Sequence, residues 1–191
     1  MLLFGILLVT IAISAIITDG LATNAGEQEN AAHGIALGAE ELGYLANDYV
    51  IYHENQQLNR WQTRFASFSQ SVAGLQANTP EEQALVNNIV AGQQRLKEVF
   101  DSIVTAAGET TQNPTAPVSL SFVQVSWSRI AVQSQGLVAD ASRLSQLQSD
   151  QADRLRRINL VIILAMVGVF GGYYIANYIL VQRRTLKSSA M

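Results

Sequence analysis

Two uncharged apolar runs constrain this chain more than any other feature. The first, LLFGILLVTIAISAIIT at residues 2–18, carries no charged side chain. At ~1.5 Å of helical rise per residue it is just long enough for a hydrocarbon core of ~30 Å when its flanks contribute. The second, INLVIILAMVGVFGGYYIANYILV at residues 158–181, has Asn159 and Asn177 as its only strongly polar side chains. It is long enough to cross without help from its flanks. The expected layout is a transmembrane helix over 1–18, an extracytoplasmic region over 19–157, a second transmembrane helix over 158–181 and a cytoplasmic juxtamembrane tail over 182–191.

The first run reads as an uncleaved signal anchor. No basic residue precedes Thr18, and ITDGLATNAG is a poor cleavage site, so the two flanking marks of a secretory signal are missing. The abrupt apolar start also leads us to expect basic residues upstream in a longer protein. Orientation follows from charge. Residues 19–157 hold fifteen acidic and nine basic side chains, whereas the tail holds Arg183, Arg184 and Lys187 and no acid. Positive charge collects on the cytoplasmic side, so the tail is expected inside the cell (inner) membrane and the middle outside. Tyr173, Tyr174 and Tyr178 suit the inner interface. Gly168, Gly172 and Ala176 form a small-residue series that lets two helices approach closely, and a homodimer is the expected assembly.

Composition narrows the chemistry. Charged residues make up 14% of the 191, a deficit confined to the two ends, and there is no cysteine. Disulfides, thiolate metal sites and thiol nucleophiles are therefore excluded. His33 and His53 are the only imidazoles, and neither has a second ligand at metal-binding spacing. No metal, no cofactor and no nucleic-acid partner is expected, and no enzyme activity within these residues.

The outer region reads as helices. Pro80, Pro114 and Pro117 are the only prolines and fall in two polar stretches, QANTPEE and GETTQNPTAP. In the first, Thr79 suits an N-cap, Pro80 the first helical position, and Glu81 and Glu82 the positive end of the helix dipole. The second is expected to be a loop after a helix ending near Ala107. Between these marks, apolar residues recur by threes and fours. Leu58, Trp61, Phe65, Phe68, Val72 and Leu75 form one series, and Leu85, Ile89, Gly92, Leu96, Val99 and Ile103 another. A third runs from Leu120 through Trp127, Ile130, Leu137 and Leu144 to Ile158, unbroken into the membrane.

Both membrane segments must meet one bilayer face, which requires an even number of outer helices. A corner near YHENQQ, residues 52–57, closes the heights. The chain then rises ~47 Å to Tyr52, descends ~30 Å to Gln76, rises ~42 Å to Ala107 and descends ~60 Å from Val118 to Arg157. The expected fold is all-α, an elongated antiparallel up-down-up-down four-helix bundle whose first and last helices continue into the membrane.

The stretches LANDYVIYHENQQLNRWQTRF and NTPEEQALVNNIVAGQQRLKEVF resemble the extracytoplasmic sensor regions of two-component sensor histidine kinases and chemoreceptors, of CHASE type or chemoreceptor-ligand-domain type. The tail QRRTLKSSAM is similar to the start of a HAMP linker, with Ser188 or Ser189 where that family has proline. The resemblance implies a two-pass receptor in the membrane that passes an outside signal to a cytoplasmic output, with a histidine kinase as first expectation. The kinase itself would lie beyond these residues.

The proposed closure gathers Tyr49, Tyr52, His53, Arg60, Trp61, Arg64, Trp127 and Arg129 at one end of the bundle. An aromatic floor with guanidinium groups beside it suits a small anionic or carboxylate ligand, which arginine pairs through two parallel hydrogen bonds. The alternative is that both tryptophans pack in the core while the arginines face water. At the level of function, too, two classes stand side by side. One is the receptor; the other is a structural or assembly protein whose bundle mediates oligomerisation without a small ligand.

Overall fold

A computed structural model of the chain describes residues 2–112 and 120–188. Among the described residues there are four helices and no strand. They are α1 (Leu2–Tyr52), α2 (Asn55–Ala73), α3 (Pro80–Gln112) and α4 (Leu120–Ser188). Pro114 and Pro117, of the expected loop, lie outside the described residues, as does Ser189.

The α1–α2 corner falls where the helical phase is lost, without glycine or proline. His53 supplies it by adopting φ 55°, the left-handed region, alone among the described non-glycine residues. Its N–H donates to the Tyr49 carbonyl at 2.9 Å, closing the last turn of α1. Glu54 then returns to extended backbone, φ −95° and ψ 148°, and leads into α2. At the start of α3 the Glu82 N–H donates to Thr79 Oγ1 at 3.2 Å, and Glu82 Oε2 accepts from the Asn78 N–H at 2.7 Å. This reciprocal cap follows from the Thr79-Pro80-Glu81-Glu82 spacing. α3 runs to Gln112, five residues beyond the end expected from composition. Gly108 and the threonines after it lower helix propensity without removing any backbone donor, so they do not stop a helix as proline does.

The chain divides into two compact units. One comprises Ala25–Asp150. Its core is aliphatic along most of its length, with Ile35, Leu42, Ile89, Leu96, Leu137 and Leu144 almost fully buried, and becomes aromatic around Trp61 and Phe100. Removing one such side chain from water is worth ~1.5–3 kcal/mol. α1 meets α2 where Gly38 leaves room for the Phe68 ring, and meets α4 where Gly43 leaves room for Ser134. α3 meets α4 where Gly92 accommodates Leu137, and the contact continues in Arg95 Nε to Gln133 Oε1 at 3.1 Å and Arg143 to Glu81 at 2.9 Å. α2 meets α3 through Gln93 Nε2, which donates to Ser69 Oγ at 2.8 Å. Trp127, expected on the same apolar series as Ile130, is 53% exposed and not part of this core.

The other unit comprises Met1–Asn24 and Gln151–Met191. Its surface is apolar where a soluble protein would be polar, with Ile16, Leu164 and Val169 exposed. α1 and α4 each contain a stretch long and apolar enough to cross a membrane. A Cβ added at Gly168 or Gly172 would meet nothing within 4 Å.

Candidate functional site

The helices distribute six of the eight residues expected at one site over an aromatic cluster and two grooves, and leave Tyr52 and Arg129 exposed outside them. Trp61 lies 2% exposed between two phenyl rings, stacked on Phe65 at a centroid distance of 4.8 Å and on Phe100 at 3.7 Å. Tyr49 of α1 tilts against Phe100 at 5.4 Å, and His53 tilts against Tyr49 at 6.0 Å. Tyr49, His53 and Trp61 are thus brought together, and Phe100 joins them. Burial pushes the Tyr49 hydroxyl above its ordinary pKa. Tyr52, at the corner, is 60% exposed.

Two buried polar atoms of α2, Trp61 Nε1 in this cluster and Gln57 Oε1 before it in the helix, have no hydrogen-bond partner among the described residues. They sit four residues apart on α2, one turn of the same face. A donor and an acceptor are therefore left unmade where such groups are normally paired.

The arginines lie elsewhere. Arg60 and Arg64 line a groove between α1 and α2 of about 790 Å³, with Glu41, Asn59 and Thr63 around them. Arg64 Nε stands 2.6 Å from Glu41 Oε2, an ion pair whose angle is off-line for a hydrogen bond. Arg60 has no ion pair among the described residues. The groove is open, and its lining combines polar head groups with the apolar stems that carry them. An incoming anion would find one free guanidinium and a second already neutralised by a carboxylate.

Trp127 lines a different groove, of about 440 Å³ between α1 and α4, with Tyr44, Asn47, Ile130 and Gln135. Arg129 is exposed, as is His33. Phe100, Glu41 and Tyr44 were missed by sequence reading. Phe100 is one position off the series through Val99 and Ile103, a signal visible once the apolar stripe is allowed three positions in seven. Glu41 and Tyr44 gave none, because pairing between helices depends on axial register.

No protein-family model, no curated protein and no solved structure matches the chain.

Proposed function

We propose that the chain is a two-pass membrane sensor module that responds to a small anion and relays the response through α4 to a cytoplasmic output, a histidine kinase being the first candidate. The observation that carries this reading is the extent of α4. It is helical without interruption from Leu120, before the buried Ile130 and Leu137, through the apolar run at 158–181, to Ser188. Small shifts of a continuous helix, of about 1–2 Å, are an established mode of switching.

The outer unit is proposed to be an antiparallel up-down-up-down bundle. In support, paired residues ascend along one helix as they descend along the next. On α1 and α2 these are Gly38 with Phe68 and Glu41 with Arg64; on α3 and α4 they are Glu81 with Arg143 and Arg95 with Gln133. A carboxylate ligand would bind Arg60 and compete with Glu41 for Arg64. Releasing Glu41 loosens α1 from α2, and Gly43, two residues on, is in steric contact with α4. The binding groove and the signalling helix are thereby linked through α1. A homodimer is part of the proposal, with the uncovered Gly168, Gly172 and Ala176 series as the place of helix contact.

The test is a melting-temperature screen of the full chain in detergent against small carboxylates, phosphate and sulfate, repeated with Arg60→Gln. A rise with at least one anion, abolished by the substitution, supports the reading. No shift with any anion contradicts it. One observation favours an assembly protein instead: Tyr44, Val125, Trp127 and Val132 are all more than half exposed, as at protein contact surfaces. In that case Trp127→Ala would abolish self-association and no anion would bind.

A further inference from the structure

The membrane-segment unit contains a cavity of about 620 Å³ that is polar at one end and apolar at the other. Asp19 of α1 and Arg156 of α4 line the polar end, and Ile16, Leu160, Ile163 and Leu164 line the rest. Along both helices the charged residues lie on the side of the 19–157 region and the apolar ones on the side of the hydrocarbon runs. Among the described residues, neither Asp19 nor Arg156 takes part in an ion pair. A carboxylate and a guanidinium therefore share a cavity while each remains free. Asn159, which also lines it, has its Oδ1 buried with no hydrogen-bond partner among the described residues.

From this cavity we infer a binding site for a zwitterionic phospholipid whose headgroup carries a primary ammonium. Arg156 supplies the donors that a phosphate accepts in charge-assisted bonds. The ammonium has three N–H donors, and Asp19 and the orphaned Asn159 carbonyl are the acceptors for them. The apolar side chains cover the upper acyl chains. A purely anionic headgroup would leave Asp19 facing the phosphate without a partner. A trimethylated headgroup would bring the positive charge without an N–H for Asn159. The inference rests on the membrane reading above.

The test is native mass spectrometry of the full chain released from detergent, with phosphatidylethanolamine, phosphatidylcholine and phosphatidylglycerol in competition. Phosphatidylethanolamine should be retained about tenfold over either competitor, the factor one charge-assisted hydrogen bond supplies. Asp19→Asn should remove that preference and Arg156→Gln should weaken retention of all three lipids, while Arg154→Gln, outside the cavity, should change neither. Equal retention of the three lipids by the unaltered chain overturns the site, as does a preference for phosphatidylglycerol that Asp19→Asn leaves intact. Alkaline carbonate washing of source membranes separates the two levels. A chain that stays in the pellet but shows no lipid preference loses only the site; one released to the supernatant loses the membrane reading as well.

Discussion

Gly43 of α1 and Ser134 of α4 are so close that a Cβ built on Gly43 would lie 2.9 Å from the serine Oγ and 3.2 Å from its Cβ. The position can admit a Cβ only if Ser134 gives way, by turning its hydroxyl and shifting its Cβ by a few tenths of an ångström. Gly43→Leu should therefore cost ~1–3 kcal/mol through overpacking. Ser134→Gly, by opening space opposite, should recover most of that loss in the double variant. Denaturant melts of the four proteins check both statements.

Gln148 is 1% exposed, and neither atom of its carboxamide has a hydrogen-bond partner among the described residues. It occupies a position where Ile130, Leu137 and Leu144 precede it on the same face. An unsatisfied buried polar group costs ~1–3 kcal/mol. Gln148→Leu, close in volume, should raise the denaturation midpoint, whereas Gln148→Glu should lower it steeply by burying a charge. An unchanged midpoint in Gln148→Leu would mean that the amide is satisfied by water.

His53 holds the corner at φ 55°. An L-residue with a Cβ pays ~1–2 kcal/mol there relative to glycine, and β-branching worsens it. The expected order of melting temperature is His53→Gly at or above the unaltered chain, with His53→Val below both. If His53→Val melts with the unaltered chain, the corner is not set by this residue.

Tyr49 titrates above its ordinary value of 10.0 because burial disfavours the phenolate. The folded chain thus keeps the proton to higher pH than the unfolded chain. The stability this contributes is complete below pH 10, and is lost as pH rises through the folded-state value. Urea midpoints should fall between pH 9 and pH 11 more steeply for the unaltered chain than for Tyr49→Phe.

Much of the helical plan was legible in the sequence, and the legible parts are those set by local rules. Thr79, Pro80 and Glu82 marked the start of α3 because capping is a matter of three or four consecutive residues. The corner near Tyr52 was found from the loss of phase between Tyr52 and Leu58, although the left-handed His53 that makes it had no composition signal. What was not legible depends on how helices slide and rotate against one another. Trp61 and Trp127 both fit an apolar series, yet one is stacked between Phe65 and Phe100 and the other is exposed. Nor does sequence show that Arg64 is matched to Glu41 while Arg60 is left free, since that is set by the axial register of α1 and α2. The cavity at Asp19 and Arg156 was missed for the same reason: its two charges are 137 positions apart in sequence.

The central claim is that the chain crosses a membrane twice, with the helical unit outside and the end of α4 inside. The natural absence of cysteine makes this directly measurable. Single cysteines are placed at Gln70, exposed on α2, and at Ser188, the last residue of α4, and treated with a membrane-impermeant maleimide in intact cells and after permeabilisation. The account predicts labelling of Gln70→Cys in intact cells and of Ser188→Cys only after permeabilisation. Labelling of both positions in intact cells, or of neither until the membrane is opened, would contradict it.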